Sequence, residues 1–290
     1  MRNLLLQLDS SPLPSVFDRV VAYDGGADEI MSYGGVTAGA VRDLVHGLMF
    51  TRGPKDLHHS AIWVGGASMP DGERLLKEVQ ATFFGPLRVS VMLDSNGSNT
   101  TAVAAVHKLA GAVDALRGRR VVITAGTGPV GMRAAGLFAR AGADVTLTSR
   151  SPEEGERVVG QVRDRFGGSV RAVTMRDASQ APAAIEGAEL LLNCGPAGVM
   201  LAAREAWAGR PGLIAAANLN AVPPLGVEGI EPMDNGAERD GVRVFGAIGV
   251  GNYKMKLHKA CVARLFTRND LVLDAETIDD VAREMPPAHA

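Results

Sequence analysis

The chain has 290 residues, 46% hydrophobic and 21% charged, with 30 Lys and Arg against 32 Asp and Glu for a formal net charge of −2. That is a globular composition with length enough for two cored domains, and the absence of a basic run argues against nucleic acid and anionic membrane as partners. Cys194 and Cys261 lie far apart without C-x-x-C spacing, so no disulfide framework or metal site is expected and both read as small buried apolar residues.

The first expected strand is Leu4–Leu8, followed by a loop in which Ser15 caps a short helix with Val16, Phe17, Val20 and Val21 on one face. Met1–Leu8 is too short for a signal-peptide core and Asp9 interrupts it, and no run approaches the roughly 18 apolar residues of a membrane span, so the expected setting is the cytoplasm. Tyr23–Asp28 breaks the helix, Thr37 caps a second one, Ser60–Gly66 is a strand and turn, and a third helix runs over about 70–83. Arg88–Leu93 supplies another strand. At its tip stand eight consecutive polar or glycine residues, Asp94–Thr101, which open a long helix over about 102–116. Such a run is enough for a helix cap, yet its density of donors and acceptors at a strand's C-terminal end favours a site for a polar ligand.

Val121–Thr124 then leads into Gly126-Thr127-Gly128-Pro129-Val130-Gly131, a full G-x-G-x-x-G between strand and helix. The first glycine permits the tight turn, the second lets backbone approach a pyrophosphate, and the third lets the helix pack on the sheet, so these six residues are expected to bind a dinucleotide. About 20 residues on, where NAD-binding folds place an acidic residue on the ribose, the chain reads Ser149-Arg150-Ser151. A cation between hydroxyls suits a 2′-phosphate, so the expected coenzyme is NADP.

Further strands are expected at 170–175, 189–195 and 213–218, helices at 154–166 and 178–185, and a charged loop at 229–242. Val244–Gly251 closes the nucleotide domain, and a last long helix over 252–266 carries Lys254, Lys256, His258 and Lys259. A short amphipathic helix over 274–285 docks back on the first domain. The layout expected is an α/β fold of two domains: a Rossmann-type, doubly wound nucleotide domain over 118–250 and a smaller α/β domain over 1–100 plus 267–290. Connecting helices over 101–117 and 251–266 join them around a cleft.

A nicotinamide coenzyme beside a polar pocket implies hydride transfer. No Y-x-x-x-K motif occurs, and His46, His58, His59 and His107 carry no catalytic mark; His258 reads as packed or surface. Either Lys256 is the acid or base, or no proton has to move.

The segments Pro14–Asp18, Tyr23–Asp28, Phe84-Gly85-Pro86, Met92–Thr101, Gly126–Arg133, Pro223–Gly226, Gly246–Gly251 and Lys254–His258 resemble the bacterial NAD(P)-dependent methylene-tetrahydromethanopterin dehydrogenases, closest to their NADP-dependent branch in methylotrophs. The resemblance spans nearly the whole chain, with 150–190, 228–243, His58-His59 and Tyr253 more divergent. It implies a one-carbon enzyme of formaldehyde oxidation that moves hydride from methylene-tetrahydromethanopterin to NADP⁺, leaving a methenyl cation. It also implies that Phe17, Asp18, Asp94, Asn96 and Thr101 hold the pterin and its bridged ring. Lys256 approaches the same ring, Asp94 favours the developing positive charge, and Asn193, Gly195, Ala247 and Gly249 lie towards ribose and nicotinamide. The alternatives are a methylene-tetrahydrofolate dehydrogenase, with or without cyclohydrolase activity, and a non-catalytic NADP sensor. A homo-oligomer, with a trimer as the candidate assembly, follows from the resemblance.

Overall fold

The computed structural model describes residues 1–288. The chain divides into two compact units, Met1–Thr100 with Met255–Glu284, and Thr101–Lys254 with the tail from Met285. Two of the three divisions fall inside helices and the third falls where the last helix ends.

The first unit begins β1 (Leu4–Asp9), α1 (Val16–Asp24), β2 (Glu29–Tyr33), α2 (Ala38–Met49), β3 (Ser60–Gly65), α3 (Met69–Ala81), β4 (Ser90–Leu93) and then α4 (Ser98–Ala110), which leads into the second unit. There follow β5 (Arg120–Thr124), α5 (Pro129–Arg140), β6 (Asp144–Ser149), α6 (Pro152–Phe166), β7 (Ser169–Thr174), α7 (Ala181–Ala184), β8 (Leu190–Asn193), β9 (Ala215–Asn218), β10 (Asn235–Arg239) and β11 (Val242–Phe245). Helix α8 (Ala247–Leu265) returns the chain to the first unit, which β12 (Val272–Leu273) and α9 (Ala275–Glu284) complete. Residues 289–290 of the expected C-terminal tail lie outside the described residues.

In the first unit five parallel strands run in the order β12-β4-β3-β1-β2. The strand period of two sends Leu6, Leu8, Ile62, Val64, Val91 and Leu93 into one buried cluster with Val41 and Val45 of α2 and Leu75 and Val79 of α3. Capping fixes where the helices start: the Ser15 hydroxyl accepts from the Asp18 N–H, and Ser68 does the same for Asp71 with Pro70 in the first turn. Thr37 stands at the N-cap of α2 without a side-chain bond.

The second unit is a seven-stranded sheet, β10-β11-β9-β8-β5-β6-β7, parallel except for the β10–β11 edge pair. The order reverses between β5 and β8, the switch point at which doubly wound sheets bind ligands. The expected Rossmann-type fold class is found.

Several elements differ from expectation. β2 is a strand where no strand was read: it is an edge with Ile30 as its one buried side chain, so no alternating pattern marks it. β10 is likewise an edge strand, written in charged residues and glycine inside the expected loop. α8 starts at Ala247, five residues early, because the Ala247–Gly251 stretch is already helix. The expected helix over 178–185 is a 3₁₀ turn at Ala178–Gln180 followed by the single turn α7.

Candidate active site

In the second unit the glycine turn joins β5 to α5 at the switch point, and its three glycines meet three different surroundings. A Cβ on Gly126 would lie 2.5 Å from Leu147 Cβ, and one on Gly131 would lie 2.7 Å from Gly126 Cα. One on Gly128 would meet nothing nearer than the Ala125 carbonyl at 3.9 Å. The outer two are therefore consumed by packing, while the middle one, the N-cap of α5, faces open space. Pro129 takes the first helical position, where no N–H is missed. Ala125 is held at φ 51, a left-handed backbone costly for a residue with a Cβ, and its N–H donates to Thr148 Oγ1 at 3.0 Å.

An asparagine network lies under the same strand tips. Asn193 Oδ1 accepts from Thr124 Oγ1 at 2.7 Å and from the Gly195 N–H at 3.1 Å, while its amide nitrogen donates to Asn218 Oδ1 at 2.8 Å. Asn218 in turn donates to the Asn220 carbonyl at 3.0 Å. Asn193, expected towards the ribose and nicotinamide, is fully buried and braces the loop that carries Gly195. At Gly249, expected on the same side of the coenzyme, a Cβ would strike the Asp234 carbonyl, so the start of α8 packs closely there. Ala247 is half-buried in that first turn.

At the tip of β6 the residues of the expected phosphate set part company. Ser149 is buried, and its hydroxyl donates to the Ser151 carbonyl at 2.7 Å and accepts from the Ser151 N–H at 3.3 Å. Ser149, expected at the 2′-phosphate, holds a turn. Arg150 is exposed. The nearest carboxylate along the chain, Glu153, takes a hydrogen bond from Ser151 Oγ at 2.6 Å, which holds it below its ordinary range. Cys194, at the tip of β8, has its thiol pushed up to about 12 by desolvation and is no thiolate near neutral pH.

In the first unit the corresponding features gather at the C-terminal edge of the sheet, around the β1–β3 switch point. Asp9 ends β1 and is buried; its carboxylate accepts from the Ser11 N–H at 2.7 Å and the Ser15 N–H at 3.0 Å, shaping the loop that delivers α1. That helix presents Phe17, 52% exposed, and Asp18, 8% exposed. Gly65, at the tip of β3, lies under two carboxylates: a Cβ there would sit 3.5 Å from both Asp9 Oδ2 and Asp18 Oδ2.

Asp94 follows β4 and is wholly buried. Its Oδ1 accepts from the N–H groups of Asn99 (2.8 Å) and Thr100 (3.0 Å), and its Oδ2 from Thr100 Oγ1 (2.6 Å). These are orphan donors of the first turn of α4, so Asp94 is that helix's anchor. Asp94, expected at the pterin and its developing charge, has both carboxylate oxygens engaged with the start of α4. Asn96, beyond it, is exposed in a left-handed conformation with φ 54, and Thr101 is half-buried.

His258 of α8, marked in sequence only as a packed or surface residue, is the side chain that ties this edge together. It is fully buried, with Nε2 3.3 Å from Asp94 Oδ2. Its ring lies 4.6 Å from that of Trp63 and 6.4 Å from that of Phe17. Lys256, two residues earlier and exposed, is turned roughly 200° around the helix from His258. The structure thus links Phe17 to Asp94 through His258 and leaves Lys256 on a different helix face. Asp9, Trp63 and His258 were missed as site residues; the one signal was Asp9, the charge that ends the Leu4–Leu8 run. Among the described residues no His, Cys, Asp and Glu cluster could hold a metal ion, and no helix is long and apolar enough to cross a membrane.

Residues 16–96, which carry Phe17, Asp18, Asp94 and Asn96, match the family model described as methylene-tetrahydromethanopterin dehydrogenase, N-terminal. Over 267 residues, 87% of this chain and 88% of the other, the chain is 33% identical to the NAD(P)-dependent methylenetetrahydromethanopterin dehydrogenase of Methylorubrum extorquens. The chain belongs to the methylene-tetrahydromethanopterin dehydrogenase family. It is also 46% identical, over 98% of its length and 99% of the relative's, to the bifunctional protein MdtA of the same organism. The resemblance read from the sequence is thereby borne out. Solved structures extend the likeness at the level of fold. Shikimate 5-dehydrogenase from Listeria monocytogenes matches with a TM-score of 0.58 at 14% identity, covering 97% of this chain and 96% of that one. Quinate dehydrogenase from Corynebacterium glutamicum matches at 0.54 and 14% identity, covering 98% and 99%.

Proposed function

We propose that this chain is an NADP-dependent methylene-tetrahydromethanopterin dehydrogenase, reversibly moving hydride from the methylene carbon of the pterin to the coenzyme in one-carbon metabolism. The observation that carries the reading is the glycine turn at the switch point, in which the middle glycine alone of the three faces open space, within a chain of this family. When bound, the coenzyme supplies the hydride acceptor. The backbone of Thr127, Gly128, Pro129 and Val130 cradles its pyrophosphate at the start of α5, with Gly126 and Gly131 shaping the turn. Arg150, exposed at the tip of β6 with no acidic residue beside it, favours the 2′-phosphate of NADP over NAD.

Phe17, Asp18, Asn96 and Thr101 hold the pterin, and Lys256 approaches it from α8. Hydride loss from a carbon between two nitrogens leaves a cation that the nitrogen lone pairs stabilise, so no side chain has to move a proton. The protein's part is alignment and exclusion of water, and alignment of this kind supplies roughly 7–11 kcal/mol of barrier lowering. The buried charge of Asp94 favours the developing cation at a distance.

The test is a parallel assay of methylene-tetrahydromethanopterin and methylene-tetrahydrofolate with NADP and NAD, followed by absorbance. Turnover of the first pterin with NADP preferred supports the reading. Tight NADP binding without turnover of either pterin would replace it by a coenzyme sensor. The folate arm matters because methylene-tetrahydrofolate, which would undergo the same chemistry, is the alternative substrate of this reading. A cytoplasmic homo-oligomer belongs to the same reading, and sedimentation tests its assembly.

A further inference from the structure

The sheet edge that carries Phe17 and Asp18 is held by a buried group that none of the proposed pterin contacts includes. His258 sits at 0% exposure between three partners on three different elements: the Asp94 carboxylate after β4, the Trp63 ring of β3, and the Phe17 ring of α1. Asp94 is at the same time the anchor of the first turn of α4. A single imidazole therefore connects the start of α4, the centre of the sheet, the rotation of α8 about its axis, and the underside of an aromatic ring that is 52% exposed.

We propose that His258 is a positioning residue for the pterin pocket, acting through Asp94 and Phe17, an inference that rests on the function proposed above. Its Nε2, 3.3 Å from Asp94 Oδ2, steadies the carboxylate that the start of α4 also binds, and its ring backs Phe17 so that the exposed face of Phe17 stands at a fixed height for stacking. The same contact fixes which way α8 turns Lys256. A side chain that only filled space would need the ring and not the nitrogen, and that difference separates the two roles. His258→Phe keeps a flat ring against Trp63 and Phe17 and removes the group facing Asp94. His258→Gln gives up the ring and keeps an N–H that reaches Asp94 Oδ2.

The experiment compares wild type, His258→Phe and His258→Gln for kcat and KM with methylene-tetrahydromethanopterin, and for NADP affinity by calorimetry. The expected result for His258→Phe is a fall of at least about tenfold in kcat/KM for the pterin, chiefly in KM, with NADP affinity within about twofold of wild type. His258→Gln recovers most of that loss. Equal losses in the two variants, no loss in either, or a parallel fall in NADP affinity would overturn the proposal. If His258→Phe fails to fold, His258→Gln is compared with His258→Asn, whose shorter amide does not reach Asp94; the same rescue is expected and its absence overturns the proposal. A wild-type protein that turns over neither pterin overturns the function reading and this inference together, whereas an active wild type with unrescued variants overturns this inference alone.

Discussion

Alanine substituted in turn at Gly128 and Gly131 separates space reserved for a ligand from space consumed by the fold. At Gly131 the new methyl would lie 2.7–2.8 Å from the Gly126 Cα, carbonyl carbon and oxygen, all backbone atoms that cannot swing aside. Overpacking of this kind costs roughly 1–3 kcal/mol, part of it offset by the better helix propensity of alanine, about 1 kcal/mol. The net of up to about 2 kcal/mol lowers the melting temperature by several degrees for a unit of this size. At Gly128 the methyl lies 3.9 Å from its nearest neighbour and the backbone sits at φ −75, which alanine adopts freely. Stability there should stay level or rise by about 0.4–1 kcal/mol through the unfolded chain. The same methyl stands where the coenzyme phosphates must approach the backbone, and the expected loss of NADP affinity is at least about 100-fold, or about 2.7 kcal/mol. Thermal melts and calorimetric NADP titration of both variants read the two quantities separately. A Gly128→Ala protein that bound NADP within about threefold of wild type would refute the assignment of that space to the coenzyme.

Arg150→Ala should raise KM for NADP by about tenfold or more, the loss of one charge-assisted contact, while KM for NAD moves less than about twofold; equal changes would remove Arg150 from the 2′-phosphate. Asp94→Asn turns an amide towards the N–H groups of Asn99 and Thr100, and a destabilisation of about 1.5–3 kcal/mol is expected in denaturant melts; a wild-type melt would contradict the anchoring role. Phe17→Ala should weaken pterin kcat/KM several-fold yet change stability by no more than about 0.5 kcal/mol, because half the ring is already in solvent. Glu189 accepts from the Arg120 N–H at 3.0 Å and from Arg119 Nη1 at 2.8 Å, and these bonds hold it below its ordinary value of 4.5. The unfolded chain therefore takes up the proton first: the stability Glu189 contributes is present above that value and is lost as pH falls through the lowered one. Glu189→Gln should flatten the acid limb of a stability–pH curve below pH 4.5 and leave its shape above unchanged.

The sequence was legible where local chemistry and tertiary role coincide. The glycine turn is such a place, because the spacing that lets α5 pack on β5 is the spacing that leaves Gly128 open. The Ser15 cap and the alternating strands β1 and β3 are others. It was less legible where a residue type has two uses. Asp94, Ser149 and Asn193 are polar residues at strand tips, which is where ligand-binding groups sit, and each also bonds to the fold: Asp94 to the start of α4, Ser149 to its own turn and Asn193 to Asn218 of β9. Nothing in the spacing separates an inward from an outward carboxylate. His258 was hidden for the converse reason: its partners Trp63 and Asp94 are some 160 to 200 positions away in the chain and meet it only once the sheet exists. β2 and β10 escaped because edge strands bury too little to impose a pattern.

β12 has an implication for biosynthesis. Val272 and Leu273 pair with Val91 and Met92, so the sheet of the first unit borrows its outermost strand from a stretch translated only after α8. A nascent chain that has emerged only as far as α8 carries β4 with one flank bare, a row of unsatisfied peptide groups open to any passing strand. Until that segment arrives, the bare edge is a place where the growing polypeptide is prone to mispair.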